Sequence, residues 1–265
     1  MTMDQFTDQR DRALLDKDRY TFFVLRRIIE GDCTLLLSDH EKGIICYSGP
    51  PYPVWIWTSD DILTEKMEKI YRLIEEHGLL DGNCHFNLKY GAAQYLIQRA
   101  AADGKQLSIQ MNMLAYDCMD PIKPKKTADG GIHRCVPEDL EALTEFYAQF
   151  HKEIGIDEKG YDAYRADAQA DIDTGNMFLW RNAQNKNVAC CKYRPNGALA
   201  SIGLVFTQPE YRRMHYAANL VYQVTAIIKA AGFIPMLYTD ADYTASNACY
   251  EKIGYVPRGK LCTIG

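Results

Sequence analysis

Residues 199–232 carry the pattern that most constrains this chain of 265 residues. An apolar run from Leu199 to Thr207 is followed by QPEYRRMHYAANLVYQVTAIIKAAG. Ala217, Leu220, Val221, Val224, Ile227 and Ile228 recur at i, i+3, i+4 and i+7 until Gly232, so a strand is predicted to pass through a tight turn into an amphipathic helix. That connection aims the first-turn N–H groups and the positive end of the helix dipole at whatever occupies the turn. Arg212 and Arg213 supply matching charge, and a pyrophosphate is a natural occupant.

The flanking segments build a framework for this turn. Ile132–Cys135 reads as a strand, and Pro137, Glu138 and Asp139 lead a helix carrying Leu140, Leu143, Phe146, Tyr147 and Phe150. Segments 177–181, 187–193 and 199–207 read as an antiparallel meander turning at NAQNKN and RPNG. After the long helix, Tyr238, Thr239 and Asp240 end a strand. A helix capped by Thr244 and stopped by Gly254 precedes a return strand.

The first half reads as a separate α+β region. A helix is predicted over about 18–30, a hairpin from Cys33 to Ser48 turning at DHEKG, and a strand from Val54 to Trp57. A helix N-capped by Ser59 or Asp60 runs to about His77, and another spans about 89–102. Leu107, Ile109, Met111 and Met113 alternate with Ser108, Gln110 and Asn112, the period of a half-buried strand. Trp55 and Trp57 share one strand face, read as core. The stretch Tyr116 to Gly131 is rich in Pro, Lys, Asp and Gly and reads as a linker, giving expected domains of 1–125 and 126–265.

Composition removes several function classes. The net charge is −5, against the broad positive surface that nucleic acid requires. No apolar run reaches the roughly 18–20 residues of a membrane span, and the polar N-terminus argues against a secretory signal, so a cytoplasmic setting is expected. The nine cysteines form no paired C-x-x-C motifs, so reduced thiols are expected rather than zinc or redox sites. His133 and His151 have no H-x-x-x-H spacing, and no metal is expected. The acidic segment Glu153 to Asp173 reads as a solvated face.

Two blocks resemble the GNAT N-acetyltransferase family. T-Q-P-E-Y-R-R-M-H-Y-A is similar to its R-x-x-G-x-A signature, with Arg212 and Ala217 matching and His215 standing at the usual glycine. TASNACYEKIGY is similar to the closing motif of the family, with Ser246, Asn247, Tyr250, Lys252, Gly254 and Tyr255 in place. More faintly, the first half resembles the degenerate GNAT-like domain of some two-domain bacterial members.

The resemblance, covering roughly 131–265, implies an α+β GNAT fold: a mixed, mostly antiparallel sheet flanked by helices, with a smaller GNAT-like domain before it. It implies acetyl-CoA as acyl donor and direct attack by an amine, on a small molecule or a peptide, in a ternary complex. Backbone around Val205 to Thr207 then anchors the pantetheine and polarises the carbonyl. Arg212, Arg213, Met214, His215, Tyr216 and Ala217 hold the phosphates, Asn247 faces the pantetheine arm, and Tyr250 protonates the leaving thiolate. Pro235 fits a place where the neighbouring strand diverges. The base stays open between Asp240, Glu210 and a water relay, and the assembly between monomer and homodimer. His215 motivates a second reading, a non-catalytic acyl-CoA-binding module. A third, transfer from aminoacyl-tRNA on a duplicated fold of this kind, is opposed by the acidic charge balance and by the arginine turn.

Overall fold

The structure, a computed structural model, describes residues 3–154 and 159–265. It divides into two compact units: Met1–Ala115 with Thr239–Tyr243 and Pro257–Gly265, and Tyr116–Tyr238 with Thr244–Val256.

The first unit begins with helices α1 (Gln9–Lys17) and α2 (Phe23–Ile28), strands β1 (Leu35–Ser38), β2 (Gly43–Tyr47) and β3 (Val54–Thr58), and helix α3 (Thr64–Glu76). It continues with β4 (Phe86–Leu88), α4 (Tyr90–Ala102) and β5 (Ile109–Asp117). Its strand order is β1-β2-β3-β4-β11-β5, where β11 is Val256–Ile264. Only β3 and β4 pair parallel among the pairs β1–β2, β2–β3, β3–β4 and β4–β11. Met67, Ile70, Tyr71 and Ile74 of α3 are buried at i, i+3, i+4 and i+7. They join Ile45, Ile56, Phe86, Leu88 and Leu96 in one core, each large side chain contributing about 1.5–3 kcal/mol. Trp55 and Trp57 are core on the other face.

Several expectations for this half need correction. Of the predicted 18–30 helix only Phe23–Ile28 is helical, with turns at 18–22 and 29–30, and the helix before it, α1, already ends at Lys17. Helix α3 starts at Thr64 with Leu63 as N-cap, so neither Ser59 nor Asp60 caps it. In β5 the apolar alternation does not bury one face: Ile109 and Met111 are exposed, and burial sets in only at Ala115–Asp117. Tyr116 and Asp117, expected in the linker, instead form the buried end of β5.

The second unit contains β6 (Gly131–Arg134), α5 (Leu140–Ile154), α6 (Tyr161–Asp173), β7 (Met177–Arg181), β8 (Asn187–Asn196) and β9 (Leu199–Thr207). Helix α7 (Tyr216–Ala230), β10 (Ile234–Asp240) and α8 (Thr244–Ile253) complete it. Its strands lie in the order β10-β9-β8-β7-β6, antiparallel except between β10 and β9. Asp139 fixes the entry to α5: its carboxylate accepts from Val136 N–H at 2.9 Å and meets His133 Nε2 at 2.7 Å and Arg181 Nη2 at 2.5 Å. Burial pushes this carboxyl upward, but those partners outweigh it and hold it below the ordinary value. His133 is thus satisfied by a carboxylate.

The acidic stretch Glu153 to Asp173 is not only a solvated face. Residues 155–158 of it lie outside the described residues. In α6, however, Tyr164, Ala168, Asp171 and Ile172 are buried. They pack with Leu143, Phe146 and Tyr147 of α5 against β7–β9.

Candidate functional site

The opening predicted beside β9 has a definite geometry. β10 pairs with β9 only from Ile234↔Leu199 to Leu237↔Ile202, whereas β9 runs on to Thr207. Leu204 is left-handed, with φ 50°, and across from it the register with β8 shifts between Cys190 and Lys192. Such a bulge bends a strand and re-aims its backbone, so residues 203–207 leave the β9–β10 ladder. Thr207 Oγ1 is buried there with no hydrogen-bond partner among the described residues. Pro235 was expected where the strands diverge, but it lies inside the paired stretch, opposite Ala200. Its missing N–H is tolerated because that side of the strand faces Cys118, whose N–H donates to the Pro235 carbonyl at 3.0 Å.

The turn after β9 combines charge with unusual backbone. Pro209–Tyr211 form a single 3₁₀ turn, and Arg213 and His215 have φ 63° and 68°. Position 215 thus demands the left-handed conformation that favours glycine, at about 1–2 kcal/mol for another residue. His215 adopts it with its side chain exposed, as are Arg213 and Met214. As N-cap of α7, His215 accepts through its carbonyl from Asn219 N at 3.1 Å and Asn219 Nδ2 at 2.9 Å. No side chain among the described residues caps α7, so the first-turn N–H groups of Tyr216, Ala217 and Ala218 have no acceptor within the helix.

Two further residues set what this turn offers. Tyr216 turns its phenol to Asp129 at 2.5 Å, and that hydrogen bond pushes its pKa up to about 12. Only its backbone serves the turn. Arg212 donates to the Thr207 carbonyl at 3.1 Å, lies 5.6 Å from the Phe206 ring centroid, and pairs with Glu153 of α5. The strand end, the arginine and the helix N-terminus are therefore contiguous.

In α8, Asn247, Tyr250 and Ile253 form the buried face, as the three-residue spacing predicts. Tyr250 meets the Tyr255 ring edge-on, with centroids 5.9 Å apart, and Tyr255 OH bonds Thr225 Oγ1 at 2.7 Å. Gly254 has φ 104°, and a Cβ there would stand 2.5 Å from the Asp120 carbonyl. Of the expected bases, Glu210 is exposed. Asp240 groups with the first unit and accepts from Asp242 N–H at 2.9 Å.

One cluster escaped the sequence reading. Asp171 of α6, 2 % exposed, meets Lys192 Nζ of β8 at 2.5 Å and Arg194 Nη2 at 3.2 Å, and also accepts from Tyr147 OH of α5. One turn beyond Tyr147, His151 lies among Tyr147, Phe150 and Tyr164. The contributing residues come from three elements, so no local spacing announces them.

The first unit also gathers possible metal ligands. Asp8, Asp11 and His40 place one ligand atom each within 4.8 Å of one another. The trio is closed by hydrogen bonds: His40 Nδ1 to Asp11 at 2.7 Å, His40 Nε2 to Asp4 at 3.2 Å, and Arg10 Nη2 to Asp8 at 2.8 Å. The missing H-x-x-x-H spacing says nothing of such a long-range trio.

Comparison with known proteins agrees with the geometry of the second unit. Residues 140–255 match the family model of the Acetyltransferase (GNAT) family. A GNAT-family acetyltransferase from Colwellia psychrerythraea is similar in structure, with a TM-score of 0.62 at 12% identity, covering 100% of this chain and 98% of that one. A GCN5-related N-acetyltransferase from Sphaerobacter thermophilus gives a TM-score of 0.69 at 12% identity, covering 98% and 93%. One from Kribbella flavida gives 0.56 at 14%, covering 84% and 86%. At such identities the likeness speaks for fold alone. No protein among those with curated descriptions matches the sequence. No helix among the described residues is long and apolar enough to cross a membrane. A mostly antiparallel sheet with flanking helices, the strand–turn–helix built on Arg212, and the family match together make residues 140–255 an acetyltransferase domain of the GNAT family.

Proposed function

We propose that the protein transfers an acetyl group from acetyl-CoA to a primary amine of a small molecule or peptide, by direct attack in a ternary complex. The observation that carries this reading is the continuity of the splayed strand 203–207 with the Arg212 turn and the uncapped N-terminus of α7. In this reading the N–H groups of Tyr216 and Ala217, with Arg212, Arg213, Met214 and His215, hold the pyrophosphate. Backbone at Val205 and Thr207 aligns the pantetheine and polarises the thioester carbonyl, as positioning and oxyanion stabilisation require. Asn247 faces the pantetheine arm, and Tyr250 protonates the departing thiolate. The reaction calls on no nucleic acid, membrane or metal, and a cytoplasmic setting suits the free cysteines.

Calorimetric titration with acetyl-CoA tests this, with desulfo-CoA as a thiol-free comparison. Arg212→Ala removes a charge-assisted contact of about 1.5–3 kcal/mol, so affinity should fall roughly 10- to 100-fold. Absence of binding even at millimolar acetyl-CoA would sink the proposal. The pairing of Arg212 with Glu153 and the histidine at position 215 favour a second reading, a non-catalytic acyl-CoA-binding module. Binding without thiol release in the presence of any amine would select it.

A further inference from the structure

The last turn of α5 is tied to the proposed cofactor site at two points. Phe150 meets Phe206 of β9 edge-on, with centroids 6.2 Å apart, and Glu153 pairs with Arg212. Between these anchors lies His151. Its ring stacks with Tyr147 (6.3 Å, 21°) and contacts Tyr164 (5.1 Å) and Phe150 (5.8 Å). Its Nδ1 is buried and has no hydrogen-bond partner among the described residues. An unmade hydrogen bond of this kind costs about 1–3 kcal/mol, and a buried polar atom left so calls for a reason.

The surroundings also fix the protonation state. His151 faces Tyr147 on its own helix, Tyr164 and Asp167 of α6, Lys159 before that helix, and Lys192 of β8. Burial lowers its pKa below the ordinary value, Lys159 and Lys192 push the same way, and Asp167 opposes them. The imidazole is therefore neutral at neutral pH and able to accept a proton.

Resting on the acyltransfer reading above, we infer that His151 is the base that takes a proton from the ammonium group of the acceptor. The ammonium N–H bond breaks and its proton passes to the imidazole, freeing the nitrogen lone pair. The amine nitrogen then bonds the thioester carbon, and the C–S pair leaves on sulfur. Tyr250 gives that sulfur its proton and recovers one from the new amide nitrogen. His151 returns the first proton to solvent, so each turnover releases one amide, one free thiol and one proton.

The test measures acetyl-CoA binding by calorimetry and thiol release with spermidine, lysine, glucosamine and tyramine as acceptors, for wild type and His151→Gln. His151→Gln should bind acetyl-CoA as wild type does and turn over roughly 10²–10⁴-fold more slowly. In wild type, kcat/KM should be present above the lowered His151 pKa and lost as pH falls through it, and this acid limb should vanish in the variant. The deficit should shrink with methoxyamine, which is already unprotonated at neutral pH; a merely structural role would not give this rescue. Equal turnover with intact binding would overturn the His151 role alone. Binding by wild type without turnover of any amine would overturn it too, since there is then no proton to take. Failure to bind acetyl-CoA at all is a different result and overturns the reading on which the inference rests.

Discussion

Replacing Asp171 by alanine is expected to destabilise the second unit by about 3–5 kcal/mol, the cost of stranding a buried charge. Asp171 is the shared acceptor of Lys192, Arg194 and Tyr147. Lys192 is held below its ordinary pKa chiefly by burial, with Asp171 opposing. Without the carboxylate, that opposition disappears and the lysine pKa falls further. The sign then follows from proton counting: near the titration range the unfolded chain binds more protons than the native one, so stability rises with pH. Urea unfolding followed by fluorescence should show the Asp171→Ala deficit narrowing from neutral pH toward the ordinary lysine value. The double variant Asp171→Leu with Lys192→Met should regain much of the loss, since a well-packed apolar pair replaces both ions. A pH-independent deficit that the double variant leaves unchanged would show that the ion pair is not its source.

Gly130→Ala should cost at least about 3 kcal/mol. Gly130 has φ 75°, and a Cβ there would fall 1.9 Å from the Arg181 carbonyl and 2.6 Å from Asn182 Cα. The backbone must move, and its neighbour Asp129 holds three groups: Trp180 Nε1 at 2.7 Å, Ala183 N at 3.1 Å and Tyr216 OH at 2.5 Å. Gly197→Ala is the control. It shares the left-handed backbone, with φ 56°, but nothing lies within 4 Å of its Cβ, so it should lose only about 1–2 kcal/mol. Because Asp129 steadies the first residue of α7, Gly130→Ala should also weaken acetyl-CoA binding while Gly197→Ala should not. Equal losses in the two variants would mean that the close approach does not matter.

Legibility followed the range of the interactions. Helices α7 and α8 were readable because their apolar faces repeat within one element and glycine ends each. The meander β7–β9 was readable from alternation broken by turn residues. Strand β4 was not, because its three residues Phe86–Leu88 are too few for a period and one partner, β11, lies about 174 positions away. Helix α6 was missed because Y-D-A-Y-R-A-D-A-Q-A-D-I-D is polar, and nothing local distinguishes the buried Asp171 from its solvated neighbours.

The candidate site divides the same way. Arg212, His215, Asn247 and Tyr250 stand in contiguous patterns and could be named in advance. The left-handed Leu204, the Glu153 partner of Arg212 and the ring stack around His151 arise from tertiary packing, and a lone histidine on a helix gives no sign of it.

The place of β11 in the first unit bears on how the chain is made. Residues 262–264 pair with β4, and Gly265 exchanges backbone hydrogen bonds with Ser108 at 3.0 and 3.1 Å, just before β5. The strand between β4 and β5 is therefore translated after the whole second unit. Until then the sheet of the first unit has a gap, with the inner edges of β4 and β5 unpaired, so co-translational folding cannot proceed one unit at a time from the N-terminus. A nascent chain stalled before residue 256 would hold a complete set of helices over an open sheet, the form most exposed to edge-to-edge association.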